Sequence, residues 1–312
     1  MQWYRVRLKV ESWLASAWQA DTIWGHLAWG LRYTEGERAL SKFIESYEEG
    51  TPTLLLSNGF PGDLLPRPFL PELEVDRNLS LDQQRQKFRE HKKAKGIRWL
   101  TEEEFTKGPM GEQFIPSDKP DTEERLVTLK NQINRLTGTT GARGQLFNFT
   151  QYRWKSVTIY LKVADSFVTK AKELFQYLAQ SGYGKRKAVG YGQIKLEAFE
   201  PFSGFPTPAD ANGFVSFSNF VPSARDPVSG YWNILVKYGK LGEELAVAGN
   251  PFKKPLVMFV AGSCFYDLPS REYYGRLVRG LSPAYDGVVQ YGLALPVPMK
   301  LPTNQASPEA QG

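Results

Sequence analysis

The sequence predicts an α+β protein of two ferredoxin-like (RRM-like, β-α-β-β-α-β) domains, the second degenerate and the first carrying a long insertion. Three observations predict it. Residues 3–10 and 154–163 alternate apolar with polar, and each stretch is followed by an amphipathic helix and a further strand pattern. Between those two halves, about residues 64–144 lose all periodicity, too long for a loop in a compact domain and better read as a functional arm. Beyond residue 212, short strand patterns recur with few helices between them. The expected division is a first domain over 1–200, a linker over 201–212 rich in Pro, Gly and Ala, a second domain over 213–300 and a disordered tail over 301–312.

In the first strand Tyr4, Val6, Leu8 and Val10 share one face and Trp3, Arg5, Arg7 and Lys9 the other, so the sheet is expected to be covered behind and open, basic, in front. Asp21 is placed as the N-cap of the next helix, whose stripe is Ile23, Trp24, Leu27, Ala28 and Leu31. Thr53-Leu-Leu-Leu-Ser57 reads as a short buried strand closed by Asn58-Gly59. Within the arm come Pro66, Pro68 and Pro71, a charged run over 83–95 that includes His91, and a short hairpin near 97–105. Regular structure resumes with Val157, Ile159, Leu161 and Val163 inward and Thr158, Tyr160 and Lys162 outward. A helix with Phe167, Ala171, Leu174, Phe175 and Leu178 on one face then stops at Gly182. Trp13, Trp18 and Trp232 suit a core or a protein interface equally well.

Composition narrows the chemistry. The 312 residues are 41% hydrophobic, enough for two packed domains, and a net charge of +6 favours an anionic partner. One cysteine, Cys264, sits in an apolar strand pattern, which fits a structural thiol in a reducing compartment. The N-terminus opens on a strand pattern instead of a signal peptide, and no apolar run reaches membrane-spanning length; the expectation is a soluble cytoplasmic protein. Two histidines and one cysteine give little basis for a metal site, and neither a Walker A pattern nor a nucleophile elbow is present, so no cofactor and no metal are expected.

The densest signal is Gly182-Tyr-Gly-Lys-Arg-Lys-Ala-Val-Gly-Tyr-Gly192, with four glycines around three consecutive cations. Glycines give tight turns, and backbone amides beside Lys185, Arg186 and Lys187 suit phosphate groups. The open sheet face adds Trp3, Arg5, Arg7, Lys9, Tyr160 and Lys162, cations for phosphates and rings for bases. A free-standing RNA-recognition motif is disfavoured, because Gln193 and Leu196 stand where its strand needs aromatics.

Four segments occur in one order: Asp21-Thr-Ile-Trp-Gly-His-Leu; Ser57-Asn-Gly-Phe-Pro with Leu65-Pro-Arg-Pro68; Asn134-Arg-Leu-Thr-Gly138 with Gly144-Gln-Leu-Phe147; and the glycine loop. In this the chain resembles the RAMP superfamily of CRISPR proteins, and within it the subunit-four family of type III-A Csm effector complexes. The resemblance implies a non-catalytic subunit of antiviral defence. It would cap the 5′ handle of the CRISPR RNA, lie near the target RNA, and join a large polymerase-like subunit to the backbone RAMP subunits. By position, the glycine loop (Gly182, Gly184, Lys185, Arg186, Lys187, Gly190, Tyr191, Gly192) would hold handle phosphates. Asn134, Arg135, Thr137, Gly138 and Arg143 would lie in a thumb that meets RNA, and Asp21 would be structural.

Two other readings stay open. The related repeat-cleaving endoribonucleases often use a histidine on the first helix as general acid/base, and His26 lies there, off the core stripe and reachable by solvent or ligand. In those enzymes the glycine-rich loop is usually near the C-terminus, whereas here a long segment follows it. The equivalent subunit of type III-B complexes shares the architecture and the role.

Overall fold

The computed structural model describes residues 1–71, 80–107, 123–131, 133–140, 146–247, 249–267 and 271–302. The first half builds one antiparallel sheet. Strand β1 (Gln2–Val10) leads to helices α1 (Ala20–Glu35) and α2 (Glu37–Glu48), which are parted by Gly36 at φ +87°, and then to β2 (Leu54–Leu56). The insertion holds α3 (Leu81–Gly96) and two long strands, β3 (Glu124–Asn131) and β4 (Leu146–Arg153), paired as a ribbon. Strand β5 (Ser156–Val163), helix α4 (Val168–Ser181) and strand β6 (Ile194–Pro201) complete the half. The strands lie in the order β2-β5-β1-β6, every pair antiparallel, which is the order a β-α-β-β-α-β unit produces.

The second half contributes β7 (Gly213–Ser216), β8 (Gly230–Tyr231), a two-stranded ribbon of β9 (Ile234–Lys237) and β10 (Leu256–Phe259), then β11 (Cys264–Tyr266) and β12 (Pro296–Met299). Its sheet runs β8-β11-β7-β12, also antiparallel. In both sheets the first strand lies between the third and the fourth, with the second at the edge. Among the described residues after β6 there is no α-helix, so loops and ribbons stand where the first half has crossover helices.

Burial follows the alternation on one side of the first sheet. Val6, Leu8, Val157, Ile159, Leu161 and Val163 are fully buried in one core with Ile23, Leu27, Leu174 and Phe175 of α1 and α4. The other side departs from expectation: it is covered too. Tyr160 has no exposed surface, and its ring lies 4.9–6.4 Å from those of Phe60, Phe202, Phe205 and Phe217. The segment read as a linker supplies much of this cover, because aromatic residues among its prolines and glycines bury more area packed than solvated. One core cluster therefore runs through both halves and includes Val215, Cys264, Tyr291 and Val297.

Further differences are local. The hairpin expected near 97–105 is a two-residue strand, Trp99–Leu100, paired with Leu65–Pro66 and followed by a short helix (Glu102–Thr106) whose capping box joins Thr101 and Glu104. Leu301, assigned to the tail, is fully buried and hydrogen-bonds Asn212 through its amide, while 303–312 lie outside the described residues. Asp21 is not the N-cap. Gln19 holds that position without a side-chain bond, and the amide of Ala20 donates instead to Oδ1 of Asn58 at 2.9 Å. The buried Asp21 carboxylate is held by Lys237 and Gln290, and so ties α1 to the second half.

Candidate nucleic-acid interface

The glycine loop is built on residues 12–17, between β1 and α1. Ser16 Oγ accepts from the amide of Lys185 at 2.9 Å, the carbonyl of Trp13 from Gly192 at 2.9 Å, and Ser12 Oγ from Gln193 at 2.8 Å. The buried ring of Tyr183 stacks on Trp18 with centroids 3.9 Å apart and donates its hydroxyl to Ala17. This close seating explains two glycines. A Cβ on Gly192, at φ +70°, would fall 1.9 Å from the carbonyl oxygen of Tyr183, and one on Gly184, at φ +78°, would meet Ser16 at 2.7 Å.

His26 is part of that seat. Its Nε2 accepts the amide of Gly184 at 2.9 Å and its ring packs 5.3 Å from Tyr183. Burial, and then the nearby charge of Lys187, lower its pKa to about 4, so the imidazole is neutral at pH 7 and its Nε2 lone pair is engaged. Part of this side chain stays accessible, while α1 sets its Nε2 under the loop.

Most loop amides are already used inside the fold, those of Gly184, Lys185, Gly190, Tyr191 and Gly192 among them. Side chains are left to face a ligand, and the three cations differ. Lys185 and Arg186 are exposed. Lys187 is half-buried and its Nζ lies 2.5 Å from Glu243 of the second half, so it is neutralised within the chain. Arg186 takes φ +63°, a backbone conformation that strains a residue with a Cβ, and sets its guanidinium 4.6 Å above the ring of Phe149.

Phe149 belongs to the β3–β4 ribbon, and there a site assembles that no single sequence segment announces. Lys130 of β3 places Nζ 4.3 Å from the centroid of Phe149 and 5.0 Å from that of Tyr191, and hydrogen-bonds the Tyr191 hydroxyl at 2.9 Å. Phe149 and Tyr191 meet edge to face at 5.4 Å. Register puts Thr128, Lys130, Phe147 and Phe149 on one face of the ribbon, so a row of rings and one cation continues from the loop towards the ribbon tip. A bridge between Leu14 and Tyr152 fixes the ribbon's root to the same 12–17 segment.

The tip carries the second set of expected residues. Asn134, Arg135, Thr137 and Gly138 are exposed in a turn where the Gly138 amide donates to the carbonyl of Asn134 at 2.8 Å and the Leu136 amide to its side chain at 2.9 Å. Arg143 lies outside the described residues. The third set does not join the site. Arg5 is bound through Nε and a terminal nitrogen to Glu200 at 2.9 and 2.7 Å, and Arg7 contacts Asp63 at 3.3 Å and Glu200 at 3.8 Å; only Lys9 of the three is exposed. Lys130, Phe149 and Glu243 were missed from the sequence; the alternating Phe147-Asn-Phe149 was the one available signal. Among the described residues no group of His, Cys, Asp and Glu side chains is placed to hold a metal ion, and no helix is long and apolar enough to cross a membrane. Cys264 is buried, and burial raises its thiol pKa, as suits a packed thiol.

No protein-family model and no curated protein sequence match the chain. Solved structures do. A Csm1–Csm4 cassette in complex with AMPPNP matches with a TM-score of 0.63 at 18% identity, over 97% of this chain and 100% of that one. A Csm3–Csm4 subcomplex of the type III-A CRISPR-Cas interference complex matches with a TM-score of 0.59 at 13% identity, over 97% and 100%. A type III-B Cmr-beta complex bound to cognate target RNA and AMPPnP gives 0.50 at 13% identity, over 84% and 86%. These likenesses are of fold: the chain resembles Csm4 in overall structure over nearly its whole length.

Proposed function

We propose that this chain is a non-catalytic, RNA-binding subunit of a type III-A (Csm) effector complex that caps the 5′ handle of the CRISPR RNA and links a large polymerase-like subunit to the backbone subunits. The observation that carries the reading is the junction of glycine loop and ribbon, where Arg186 and Lys130 lie against Phe149 and Tyr191, with Lys185 exposed in the same loop. Lys185 and Arg186 take phosphates. The rings take splayed bases, each worth about 1–3 kcal/mol by stacking, and the ribbon tip reaches along the RNA near the target duplex. Both halves are read as ferredoxin-like units, the second reduced to its strands.

A processing nuclease is the weaker reading, because the Nε2 of His26 that would take a proton is occupied by the Gly184 amide. The type III-A assignment over III-B rests on the higher TM-scores and fuller coverage. The test is to purify the complex assembled with its neighbouring subunits and sequence the RNA it retains. The expected result is short RNAs sharing one 5′ end, lost when Lys185 and Arg186 are both replaced by Ala. Cleavage of repeat RNA by the chain alone, abolished by His26→Ala, overturns the reading.

A further inference from the structure

We propose that the outer face of the β9–β10 ribbon, with the groove beside it, docks a protein subunit whose contact surface is apolar at the centre and acidic at the margin; this rests on the chain being an effector subunit. Ladder pairs Ile234↔Phe259, Leu235↔Met258, Val236↔Val257 and Lys237↔Leu256 fix which residues share a face. Inward, Leu235 and Met258 pack with Val221, Val278 and Leu281. Outward, Ile234, Val236 and Val257 are 55%, 47% and 53% exposed, and Trp232 and Tyr238 extend the row at 45% and 75%. A ribbon with one wet face is expected to alternate apolar with polar. Here the outward face is apolar as well. Val236 and Val257 meet directly across the strands, which supports the pairing. The row they form with Ile234, Trp232 and Tyr238 leaves more apolar surface exposed than the pairing requires and marks an interface.

Trp232 joins this face to a concave surface. Its ring lies edge-on to Phe259 at 5.2 Å, and it also lines a groove of about 670 Å³ formed with Phe69, Leu70, Val228 and Tyr231. The groove is open and also lined by Ser229 and Asn233, and Trp232 at its edge is a residue type enriched among interface anchors.

Charge selects the occupant. Over residues 228–267, the ribbon and its connection, the cations are Lys237, Lys240, Lys253 and Lys254. The carboxylates Glu243 and Glu244 are paired with Lys187 and Arg32, and Asp267 with Arg271, which leaves the unpaired charge at the margin cationic. Lys237 turns inward to Asp21 and Lys253 to Gln290, while Lys240 and Lys254 stay exposed at the margin. A margin of one sign favours an acidic partner and opposes a second copy that would bring the same lysines face to face. Nucleic acid fits less well, since its interfaces are polar and strongly cationic, whereas the centre here is Ile and Val.

The test uses the full chain carrying Val236→Asp with Val257→Asp, and separately Lys240→Glu with Lys254→Glu. Each is titrated against the large polymerase-like subunit and against the backbone subunit of its own complex, and against 5′-handle RNA. For one of the two subunits, the aspartate pair is expected to weaken binding at least 30-fold and the glutamate pair about 5-fold, with RNA affinity and Tm preserved. Wild-type affinity of both variants for both subunits overturns the proposal, as does loss of RNA binding instead. Self-association of the wild type that the aspartate pair abolishes, with subunit binding intact, assigns the face to a second copy and overturns it too. Failure of the unmodified chain to bind either subunit or the RNA would instead bring down the underlying functional reading.

Discussion

Two cationic regions that look alike in the sequence end in opposite states. Arg5 and Arg7 on β1 are bound by Glu200 and Asp63, on a face that Phe202, Phe205 and Phe217 help to close. Lys185 and Arg186 keep their charges at the surface, and Arg186 lies against the ring of Phe149 instead of a carboxylate. A cation is available to RNA when the fold gives it no carboxylate, and an aromatic neighbour holds a guanidinium without cancelling its charge. Even within the loop the distinction holds, for Lys187 is spent on Glu243.

The comparison breaks most visibly through stability. Phe205 is 9% exposed among Trp3, Tyr160, Phe202 and Phe217, so Phe205→Ala is expected to cost about 3–5 kcal/mol in denaturant unfolding. The RNA affinity of the folded fraction should not change, because the covered face is structural; a parallel loss of affinity in folded protein would return that face to the site.

Charge removal sharpens the contrast. Lys185→Ala with Arg186→Ala should flatten the dependence of log K on log salt by about 1.4, at about 0.7 per single-strand phosphate contact, with little change in Tm. Arg5→Ala should leave that slope unaltered and lower stability slightly, since it removes the two hydrogen bonds to Glu200 and leaves only the longer Arg7 contact. Equal slopes for the two variants would erase the distinction.

The smallest expected effect is a pH dependence. His26 titrates near 4 in the folded chain, against about 6.5 when unfolded. The unfolded chain therefore binds the extra proton first as pH falls. The stability this site contributes is complete above about pH 6.5 and is lost progressively towards pH 4. His26→Gln, which keeps an acceptor for Gly184, should flatten that part of the pH–stability curve; an unchanged curve would mean His26 does not seat the loop.

How much of this was legible depended on range. The alternation of β1 and β5, the stripe of α1 and the stop at Gly182 are local, and each is found where its pattern placed it. Closure of the second sheet face was not legible, because the polar-looking side of β5 is covered by Phe202, Phe205 and Phe217, far along the chain. The β3–β4 ribbon was missed for the opposite reason. Val127, Leu129 and Leu146 are exposed on one of its faces, so no contrast between a buried and a wet side marks it as a strand pair. Asp21 looked like a cap because its local spacing allowed it, while its partners Lys237 and Gln290 lie more than two hundred residues away.

The central claim is that RNA lies on the junction of loop and ribbon and not on the covered sheet face. Ultraviolet cross-linking of a 5′-handle RNA to the full chain, with the cross-linked peptides identified by mass spectrometry, tests it most directly. The account predicts adducts at Phe149 and Tyr191, reduced when Arg186 and Lys130 are replaced by Ala. Adducts on peptides containing Trp3 or Tyr160, with none on the ribbon or the glycine loop, would contradict it.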